Sequence, residues 1–398
     1  MRIVIIGAGQ AGVALAAALR SGGHDGPITL LGNEPVAPYQ RPPLSKAYLL
    51  GDMPLDRLLL RGPDWYAQNR IDLRLGTPVT AIDRKARMVM AGGAALPWDA
   101  LALTTGARPR RLPAEAGGGL AGLHHVRSLA DVDAMAPAFI PGKRLLIVGG
   151  GYIGLEAAAV AAKRGLAVTL IEAAPRILAR VACAETAAWF RDLHAAHGVT
   201  IREATGLDSL TGDSHVSGAR LTDGTAIAAD LAIAGIGVLP ETDLAEAAGL
   251  ACDNGIATDP FGRTSDPGIW AAGDCAAFPH EDGLMRLESV PNAIAMAECV
   301  AANILGAARP YRPEPWFWSD QYDVKLQIAG LGTGHTRIAI RDTPPARSHW
   351  YYAGARLIAV DAMNDPRAFM IARRLLTAGR SPAPEAVADP ATDLKSLI

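Results

Sequence analysis

The sequence predicts an α/β protein with two parallel sheets, each built around a glycine-rich turn, and a smaller α+β domain after them. Two segments support the sheets, because each places a short apolar strand before closely spaced glycines and an alanine-rich helix. They are RIVIIGAGQAGVALAAALR, from Arg2, and RLLIVGGGYIGLEAAAVAAKRG, from Arg144. A second strand follows each helix, as ITLLGNE and AVTLIEAAPR. Strands that alternate with helices favour parallel sheets covered on both faces, so we expect two Rossmann-like folds.

The residue composition of the chain changes from about Trp316 onward. Segments rich in aromatic and β-branched residues, WFWSDQYDVKLQIAGL, HTRIAI and SHWYYAGARLIAVDAM, predict strands, and a helix is expected near Pro366 to Ala378. These elements form the α+β domain. The tail from Ser381 carries three prolines and several alanines, which predicts a loosely packed arm.

Length and composition limit the function classes. The 398 residues suggest two or three domains, and the net charge of −2 gives no global reason to expect nucleic acid as a partner. The four cysteines form no C-x-x-C pair and have no zinc-ligand spacing, so we expect a reduced, cytoplasmic protein without a metal site. The apolar run from Ile3 is interpreted as a strand and helix, and neither a signal peptide nor a membrane segment, because a similar run recurs from Leu145.

Both glycine-rich turns have the spacing G-x-G-x-x-G between a strand and a helix. In each turn the first glycine permits a tight bend, the second glycine lets backbone amides approach a pyrophosphate, and the third glycine lets helix and strand pack closely. The helix N-terminus then offers unpaired amides to the phosphates. The glycines are Gly7, Gly9 and Gly12 in the first turn and Gly149, Gly151 and Gly154 in the second.

An acid closes the strand after the second turn. Glu172 is placed to accept hydrogen bonds from an adenosine ribose and repels a 2′-phosphate, so NADH is favoured over NADPH. Arg176 and Arg180 are the counterargument, because nearby arginines can hold that phosphate. After the first glycine-rich turn, the strand ITLLGNE ends with Asn33 and Glu34, and either residue could face the ribose.

The segment YQRPPLSKAYL, from Tyr39 to Leu49, narrows the class further. It resembles the signature of NADH-dependent ferredoxin reductases that serve haem monooxygenases and Rieske dioxygenases, the putidaredoxin reductase type. This type belongs to the FAD-dependent pyridine nucleotide-disulfide oxidoreductases but lacks their redox cysteines. Similar segments along nearly the whole chain are GGGYIGLEAAAVA, EAAPRILAR, GIGVLPET, TSDPGIWAAGDCA, ESVPNAIAMAE and PWFWSDQYDVKLQIAG.

The resemblance implies a division of labour along the chain. Residues 1–108 and 233–315 would form the FAD-binding domain, 109–232 the NADH-binding domain, and 316–398 the C-terminal domain. FAD would accept a hydride from NADH and pass single electrons to a two-iron two-sulfur ferredoxin that feeds a monooxygenase or dioxygenase. The protein would be a monomer or a homodimer.

The resemblance also implies an FAD site. The first glycine loop would hold the pyrophosphate, with Asn33 or Glu34 at the ribose. An acid is usual in this family where Asn33 stands, which leaves the ribose contact open. Lys46 would lie near the reactive nitrogen of the flavin. The implied FAD residues are Gly7, Gly9, Ala11, Gly12, Asn33, Glu34, Arg41, Lys46, Val79, Arg127, Asp274, Val290 and Trp318.

A second set would hold NADH, and two residues are candidates for catalysis. Glu156 could accept hydrogen bonds from the nicotinamide carboxamide, or it is a helix N-terminal acid placed for the dipole. The spacing alone predicts that Lys46 is a solvated lysine. The resemblance instead implies that its charge lies beside the flavin. The implied NADH residues are Gly149, Ile153, Glu156, Glu172, Arg180, Gly235, Ile236 and Gly237.

The absence of cysteine from 42–46 separates this sequence from thiol-reducing relatives. Cys275 stands next to Asp274 but is interpreted as a small buried apolar residue. Two other functions stay open. One is a non-catalytic, redox-signalling flavoprotein, and the other is a reductase for rubredoxin or monodehydroascorbate.

A basic surface is expected where an acidic ferredoxin docks. The candidates are Arg367, Arg373 and Arg374 in NDPRAFMIARRLL, although a solvated amphipathic helix has the same pattern. Trp316 and Trp318 precede this helix and could shorten the electron path from flavin to surface, or they are core tryptophans.

Overall fold

The computed structural model describes residues 1–281 and 283–398. The α-helices within these residues are α1 Gln10–Ser21, α2 Ala47–Leu50, α3 Leu55–Leu58, α4 Pro63–Gln68, α5 Leu129–Met135, α6 Tyr152–Lys163, α7 Ala184–Ala196, α8 Asp243–Ala247, α9 Val290–Ile304, α10 Pro366–Thr377 and α11 Pro384–Ala388. Short 3-10 helices cover Pro42–Ser45, Ala114–Ala116, Ala136–Ala138 and Leu394–Leu397. Within the described ranges, no helix is both long and apolar enough to cross a membrane.

The strands alternate with these helices over the first part of the chain and follow one another near its end. They are β1 Ile3–Ile6, β2 Ile28–Leu31, β3 Ile71–Arg74, β4 Val79–Asp83, β5 Met88–Ala91, β6 Ala94–Pro97, β7 Ala100–Leu103, β8 Ala107–Pro109, β9 Leu123–His124, β10 Arg144–Val148, β11 Ala167–Ile171, β12 Thr200–Arg202, β13 Leu207–Thr211, β14 Gly218–Leu221, β15 Ala226–Ala228, β16 Leu231–Ala234, β17 Val238–Pro240, β18 Ile256–Ala257, β19 Ile269–Ala271, β20 Ala276–His280, β21 Gly283–Met285, β22 Trp316–Gln321, β23 Val324–Gly330, β24 Arg337–Thr343, β25 Ala346–Ala353 and β26 Arg356–Met363.

The chain forms two compact units, and each draws on separate stretches of sequence. The first unit comprises residues 1–40, 55–108 and 238–315, and the second comprises 41–54, 109–237 and 316–398. The segment 41–54, which includes Lys46, therefore belongs to the second unit.

The first unit is built on a parallel sheet with the strand order β19-β7-β1-β2-β3. Ile3 lies opposite both Ile28 and Ala100, which sets the register of the three central strands. All four residues of β1 are buried, as expected for a strand covered by helices on both faces. Helices α1 and α9 pack together with this sheet in one apolar core.

The second unit contains a parallel sheet of the same kind and an antiparallel sheet. The parallel sheet has the order β12-β11-β10-β16-β9, and the antiparallel sheet has the order β22-β23-β26-β25-β24. Helix α10 packs on β23 and β26 and shares their apolar core. The predicted fold class is confirmed, with both strand-glycine-helix-strand segments at their expected positions.

The predicted loose arm after Ser381 is wrong. Val387 and Leu394 are buried in the core of the antiparallel sheet. The buried guanidinium of Arg341 on β24 also donates hydrogen bonds to backbone carbonyls of the tail. Its acceptors are the carbonyl oxygens of Val387, Asp389, Pro390 and Thr392, at 3.3, 2.5, 3.0 and 3.0 Å.

Replacing Arg341 with Met should lower the free energy of unfolding by about 2–4 kcal/mol, because four carbonyls would lose a charged donor at a buried position. Urea unfolding followed by tryptophan fluorescence measures the change. Arg356→Met, at an exposed position on β26, is the matched control and should have little effect. Equal stability of the two variants would show that the tail does not depend on Arg341.

Candidate active site

The first glycine loop joins β1 to α1, and two of its three glycines have no room for a side chain. Gly7 has φ +112°, and a Cβ there would lie 2.2 Å from the carbonyl oxygen of Thr104. A Cβ on Gly12 would lie 2.0 Å from the carbonyl oxygen of Gly7. Nothing lies within 4 Å of the corresponding position on Gly9, which therefore faces open space. The first and third glycines fix the turn, and the second leaves its backbone accessible.

The second glycine loop, between β10 and α6, repeats these contacts. A Cβ on Gly149 would lie 2.4 Å from the carbonyl oxygen of Gly235, and one on Gly154 would lie 2.2 Å from that of Gly149. Gly151 again faces open space. Gly235, Ile236 and Gly237 follow β16, the neighbour of β10, so the parallel sheet brings them to the same edge.

Both loops fit the pyrophosphate of a dinucleotide. Helices α1 and α6 have a glycine at the N-cap, no side-chain cap and no acid in the first turn. Their first N–H groups and the positive end of each helix dipole are therefore available to phosphate oxygens. The open side of Gly9 and of Gly151 provides the close approach that a pyrophosphate requires.

Further predicted FAD residues lie at the same sheet edge of the first unit. Asn33 and Glu34 follow β2, and the Glu34 carboxylate accepts a hydrogen bond of 2.6 Å from the Tyr39 hydroxyl. Asp274 follows β19, and a Cβ on the preceding Gly273 would lie 2.9 Å from that of Ala11. Asp274 thus stands beside the first loop. Val79 begins β4 and Val290 begins α9 in the same unit.

The remaining predicted FAD residues belong to the second unit. Arg41 donates a hydrogen bond of 2.6 Å to the backbone carbonyl of Arg127, so these two residues lie together. Trp318 lies on β22, with its ring centroid 6.0 Å from the Lys46 ammonium. Lys46 is thus the neighbour of Trp318.

Glu172 is held beside the second loop by two backbone donors. Its carboxylate accepts 2.7 Å from the N–H of Gly150 and 2.8 Å from the N–H of Ala174. It keeps further lone pairs for a ribose, since a carboxylate can accept about four hydrogen bonds. Both the position and the charge match the predicted preference for NADH.

The two nearby arginines differ in what they can do. The Arg176 guanidinium donates to four backbone carbonyls, those of Ile177, Ala179, Ala182 and Cys183, at 2.7–3.4 Å. Arg176 is therefore part of the loop structure. Arg180 is exposed, and its guanidinium lies 3.9 Å from the Cβ position of Gly237. Ile153, at the start of α6, is 41% exposed at this edge.

Lys46 and Glu156 form an ion pair in the second unit, in which Glu156 is buried and Lys46 is half-buried. The ammonium lies 3.1 Å from Glu156 Oε1 and 3.7 Å from Asp320 Oδ2. The Ser319 hydroxyl donates to Glu156 Oε1 and the Ser45 hydroxyl donates to Oε2, each at 2.6 Å. The carboxylate thus binds one cation and two hydroxyls, and Lys46 can act as a fixed positive charge.

Glu156 lies in the second turn of α6, because the helix begins at Tyr152. The alternative prediction, an acid at the helix N-terminus placed for the dipole, is therefore wrong, because α6 has no acid in its first turn. Burial raises the pKa of Glu156, while Lys46 and the hydroxyls of Ser319 and Ser45 oppose that rise. The surroundings are those of a carboxylate that is costly to bury and is stabilised by specific partners.

Three polar residues of this cluster were missed by the sequence analysis. Ser45 lies in the RPPLSK segment, one residue before Lys46, and Ser319 and Asp320 lie on β22. The available signal was the polar residues within an otherwise aromatic strand, WFWSDQ, because a polar side chain that such a strand buries needs a hydrogen-bond partner. The identity of those partners depends on long-range packing.

The four cysteines are unsuited to redox chemistry. None forms a disulfide, and Cys183, Cys275 and Cys299 are buried. Burial raises the pKa of all four thiols, including the half-buried Cys252. Reactive cysteines need the thiolate, so these environments favour inert thiols.

Comparisons with known proteins cover the whole chain. The family described as pyridine nucleotide-disulphide oxidoreductase matches residues 1–297, and the family described as reductase C-terminal matches 316–398. Rhodocoxin reductase of Rhodococcus erythropolis is 43% identical over 100% of this chain and 94% of its own. Putidaredoxin reductase of Pseudomonas putida is 42% identical over 100% and 96%. The crystal structure of the covalent putidaredoxin reductase-putidaredoxin complex matches with a TM-score of 0.95, at 42% identity, over 100% of this chain and 97% of that one.

Replacing Glu172 with Ala should narrow the preference for NADH over NADPH by on the order of tenfold in kcat/KM, as expected if a repulsion of about 1.4 kcal/mol is removed. Steady-state kinetics with each nucleotide measure the ratio. Arg180→Met tests the opposing residue and should lower the efficiency with NADPH if Arg180 meets the 2′-phosphate. Equal efficiencies of the unaltered protein with both nucleotides would contradict the role assigned to Glu172.

Proposed function

This chain belongs to the pyridine nucleotide-disulphide oxidoreductase family, as a ferredoxin reductase of the putidaredoxin reductase type that uses FAD and NAD(H), and we propose that its partner is a two-iron two-sulfur ferredoxin. In this proposal NADH is the hydride donor, and the ferredoxin supplies a monooxygenase or dioxygenase. Relatives named as reductase components of anthranilate and benzene dioxygenase systems support the second part.

The observation that carries the proposal is the Lys46–Glu156 pair, whose lysine lies in the segment 42–46, which contains no cysteine. When bound, FAD supplies the chemistry that links a two-electron donor to a one-electron acceptor. Without a reactive cysteine, electrons need an acceptor outside the chain. The raised thiol pKa values support a ferredoxin over a dithiol or peroxide as that acceptor.

The residues of the chain have distinct tasks in this proposal. The glycine loops hold the two pyrophosphates, and Glu172 orients the adenosine ribose of NADH. Lys46 provides a fixed cation for the flavin ring, and Glu156 keeps that cation in place and offers its one remaining lone pair to the nicotinamide carboxamide. Asp274 and Val290, in the first unit, are also assigned to FAD binding.

NADH-driven reduction of a panel of purified ferredoxins tests the proposal. Reduction of at least one two-iron two-sulfur ferredoxin is expected, with rubredoxin, monodehydroascorbate and a dithiol as comparison acceptors. Faster reduction of one of these comparison acceptors would replace the ferredoxin. Flavin reduction by NADH without transfer to any acceptor would favour the signalling function.

Replacing Glu156 with Ala should slow flavin reduction by NADH on the order of a hundredfold, because Lys46 loses its anchor and the reacting groups lose their alignment. Stopped-flow absorbance measures the rate, and the bound flavin content should not change. The control is Glu185→Ala, an exposed acid at the start of α7. A normal rate in the Glu156 variant would remove this residue from catalysis.

The surface that we propose for ferredoxin docking lies on α10. Arg374 is exposed, and the Arg373 guanidinium lies 5.3 Å from the centroid of the Trp316 ring. The rings of Trp316 and Trp318 are 5.6 Å apart, and the Trp318 ring is the one near Lys46. Two aromatic rings therefore lie between α10 and Lys46. Arg367 is paired with Asp393, which offsets its charge. Arg373 and Arg374 are the docking candidates that we propose, because they lie on α10 next to these aromatic contacts.

The double variant Arg373→Glu, Arg374→Glu should lower the rate of ferredoxin reduction at low salt at least tenfold, because it reverses charge where an acidic partner approaches. In the unaltered protein the same rate should fall as ionic strength rises past about 0.15 M, where screening acts within about 8 Å. Reduction of a small neutral acceptor is the control and should not change. Normal ferredoxin reduction by the double variant would place docking elsewhere.

A further inference from the structure

The inner face of β22 lies along two helices of the second unit. Alternate residues of a strand point to one face, so Phe317, Ser319 and Gln321 share a side. The Phe317 ring lies 4.9 Å from that of Tyr152, and Ser319 bonds Glu156. Tyr152 and Glu156 are four residues apart on α6, a rise of about 6 Å. Two residues of a strand rise by about 6.6 Å, so the two spacings match.

Gln321, the third residue of that face, continues the hydrogen bonds away from Glu156. Its side-chain Nε2 donates to the Ser319 hydroxyl oxygen at 3.1 Å. Its Oε1 is therefore an acceptor, and His194 Nε2 on α7 donates to it at 2.8 Å. Ser319, Gln321 and His194 are all buried.

The charge state of His194 fixes the direction of this chain of hydrogen bonds. Burial lowers the pKa of His194 to about 4, so the ring is neutral at physiological pH. With its proton on Nε2, the ring accepts at Nδ1 from the Tyr322 hydroxyl, at 3.2 Å. Four donors therefore point the same way. In order they are Tyr322, His194, Gln321 and Ser319, and the last acceptor is Glu156.

The direction matters because a serine hydroxyl can rotate. The Gln321 amide occupies a lone pair of the Ser319 oxygen, so the Ser319 proton is left to point at the carboxylate. In a buried setting aligned hydrogen bonds polarise one another, which strengthens the last bond of the series. A hydrogen bond to the charged form of a carboxyl favours that form.

We propose that Gln321 and His194 are positioning residues for the reaction with NADH, because they orient the Ser319 hydroxyl and thereby hold Glu156 and Lys46 in one arrangement. The proposal rests on the function assigned above to the Lys46–Glu156 pair. It adds two residues that are linked to that pair through the Ser319 hydroxyl.

The test uses Gln321→Met in the FAD-loaded protein, a change that keeps the length of the side chain and removes its donor and acceptor. The first readout is the pH at which the Glu156 carboxyl takes up a proton, followed by infrared spectroscopy and assigned with Glu156→Gln. Lys46 and Tyr152 are the other titratable groups that interact with Glu156, and Asp320 pairs with Lys46. Asp320→Asn therefore checks the contribution of that second acid. We expect the Gln321 variant to protonate about one pH unit higher, a tenfold shift.

The second readout is flavin reduction by NADH in stopped flow. Gln321→Met should slow this step about tenfold in the unaltered background and should have little further effect on Glu156→Gln, because coupled residues are not additive. Gln68→Met, at an exposed position on α4, is the matched control. If Gln321→Met does not fold, Ser319→Ala must produce the same upward shift.

The two readouts separate the possible failures. An unchanged protonation pH of Glu156 would overturn the positioning role of Gln321. Equal slowing by Gln321→Met in both backgrounds would show that it acts on packing alone, which also overturns the proposal. A shifted protonation pH with an unchanged rate would contradict the catalytic role of Glu156 and, with it, the function that the proposal builds on.

Discussion

The ion pair between Lys46 and Glu156 is the interaction on which the second unit depends. Glu156 is buried and Lys46 is half-buried, and the contacts of the pair join three separate parts of the chain: the segment 41–54, helix α6 after the second glycine loop, and β22 of the C-terminal sheet. A buried pair contributes little net stability, but removing one partner leaves an uncompensated charge and costs about 3–5 kcal/mol. The pair therefore specifies how the segment 41–54, helix α6 and β22 are arranged within the second unit. Ser45, Ser319 and Asp320 complete the set of polar partners that this charge requires.

The two glycine loops have the same steric pattern. In each, the first and third glycines meet backbone oxygens at distances that exclude a Cβ, and the second faces open space. Because parallel strands end at one sheet edge, residues that follow neighbouring strands gather around each loop. Glu172 is placed by this rule in the second unit, and Asp274 is placed by it in the first. The chemistry of both edges is that of phosphate and ribose recognition, and the buried thiols take no part in it.

Local signals in the sequence were sufficient for most of the fold. The periodicity and glycine spacing of the two loop segments lie within about two dozen residues, and both segments form as expected. The tail after Ser381 was misjudged because its order depends on Arg341, whose carbonyl partners lie 46–51 residues further along the chain. The partners of Glu156 are more distant still, since Ser45 and Ser319 are 111 and 163 residues away. The motif indicated Glu156 itself, but composition and spacing carry no information on which buried hydroxyl it meets.

A double-mutant cycle over Lys46→Met and Glu156→Gln tests most directly whether this pair organises the second unit. The quantity to measure is the free energy of unfolding of the four proteins, each at saturating FAD. If the pair is formed as described, each single change is costly and the double change costs less than their sum, with a coupling energy of about 1–3 kcal/mol. Single costs that add to within about 0.5 kcal/mol would show that the two charges do not depend on each other, and would contradict the account.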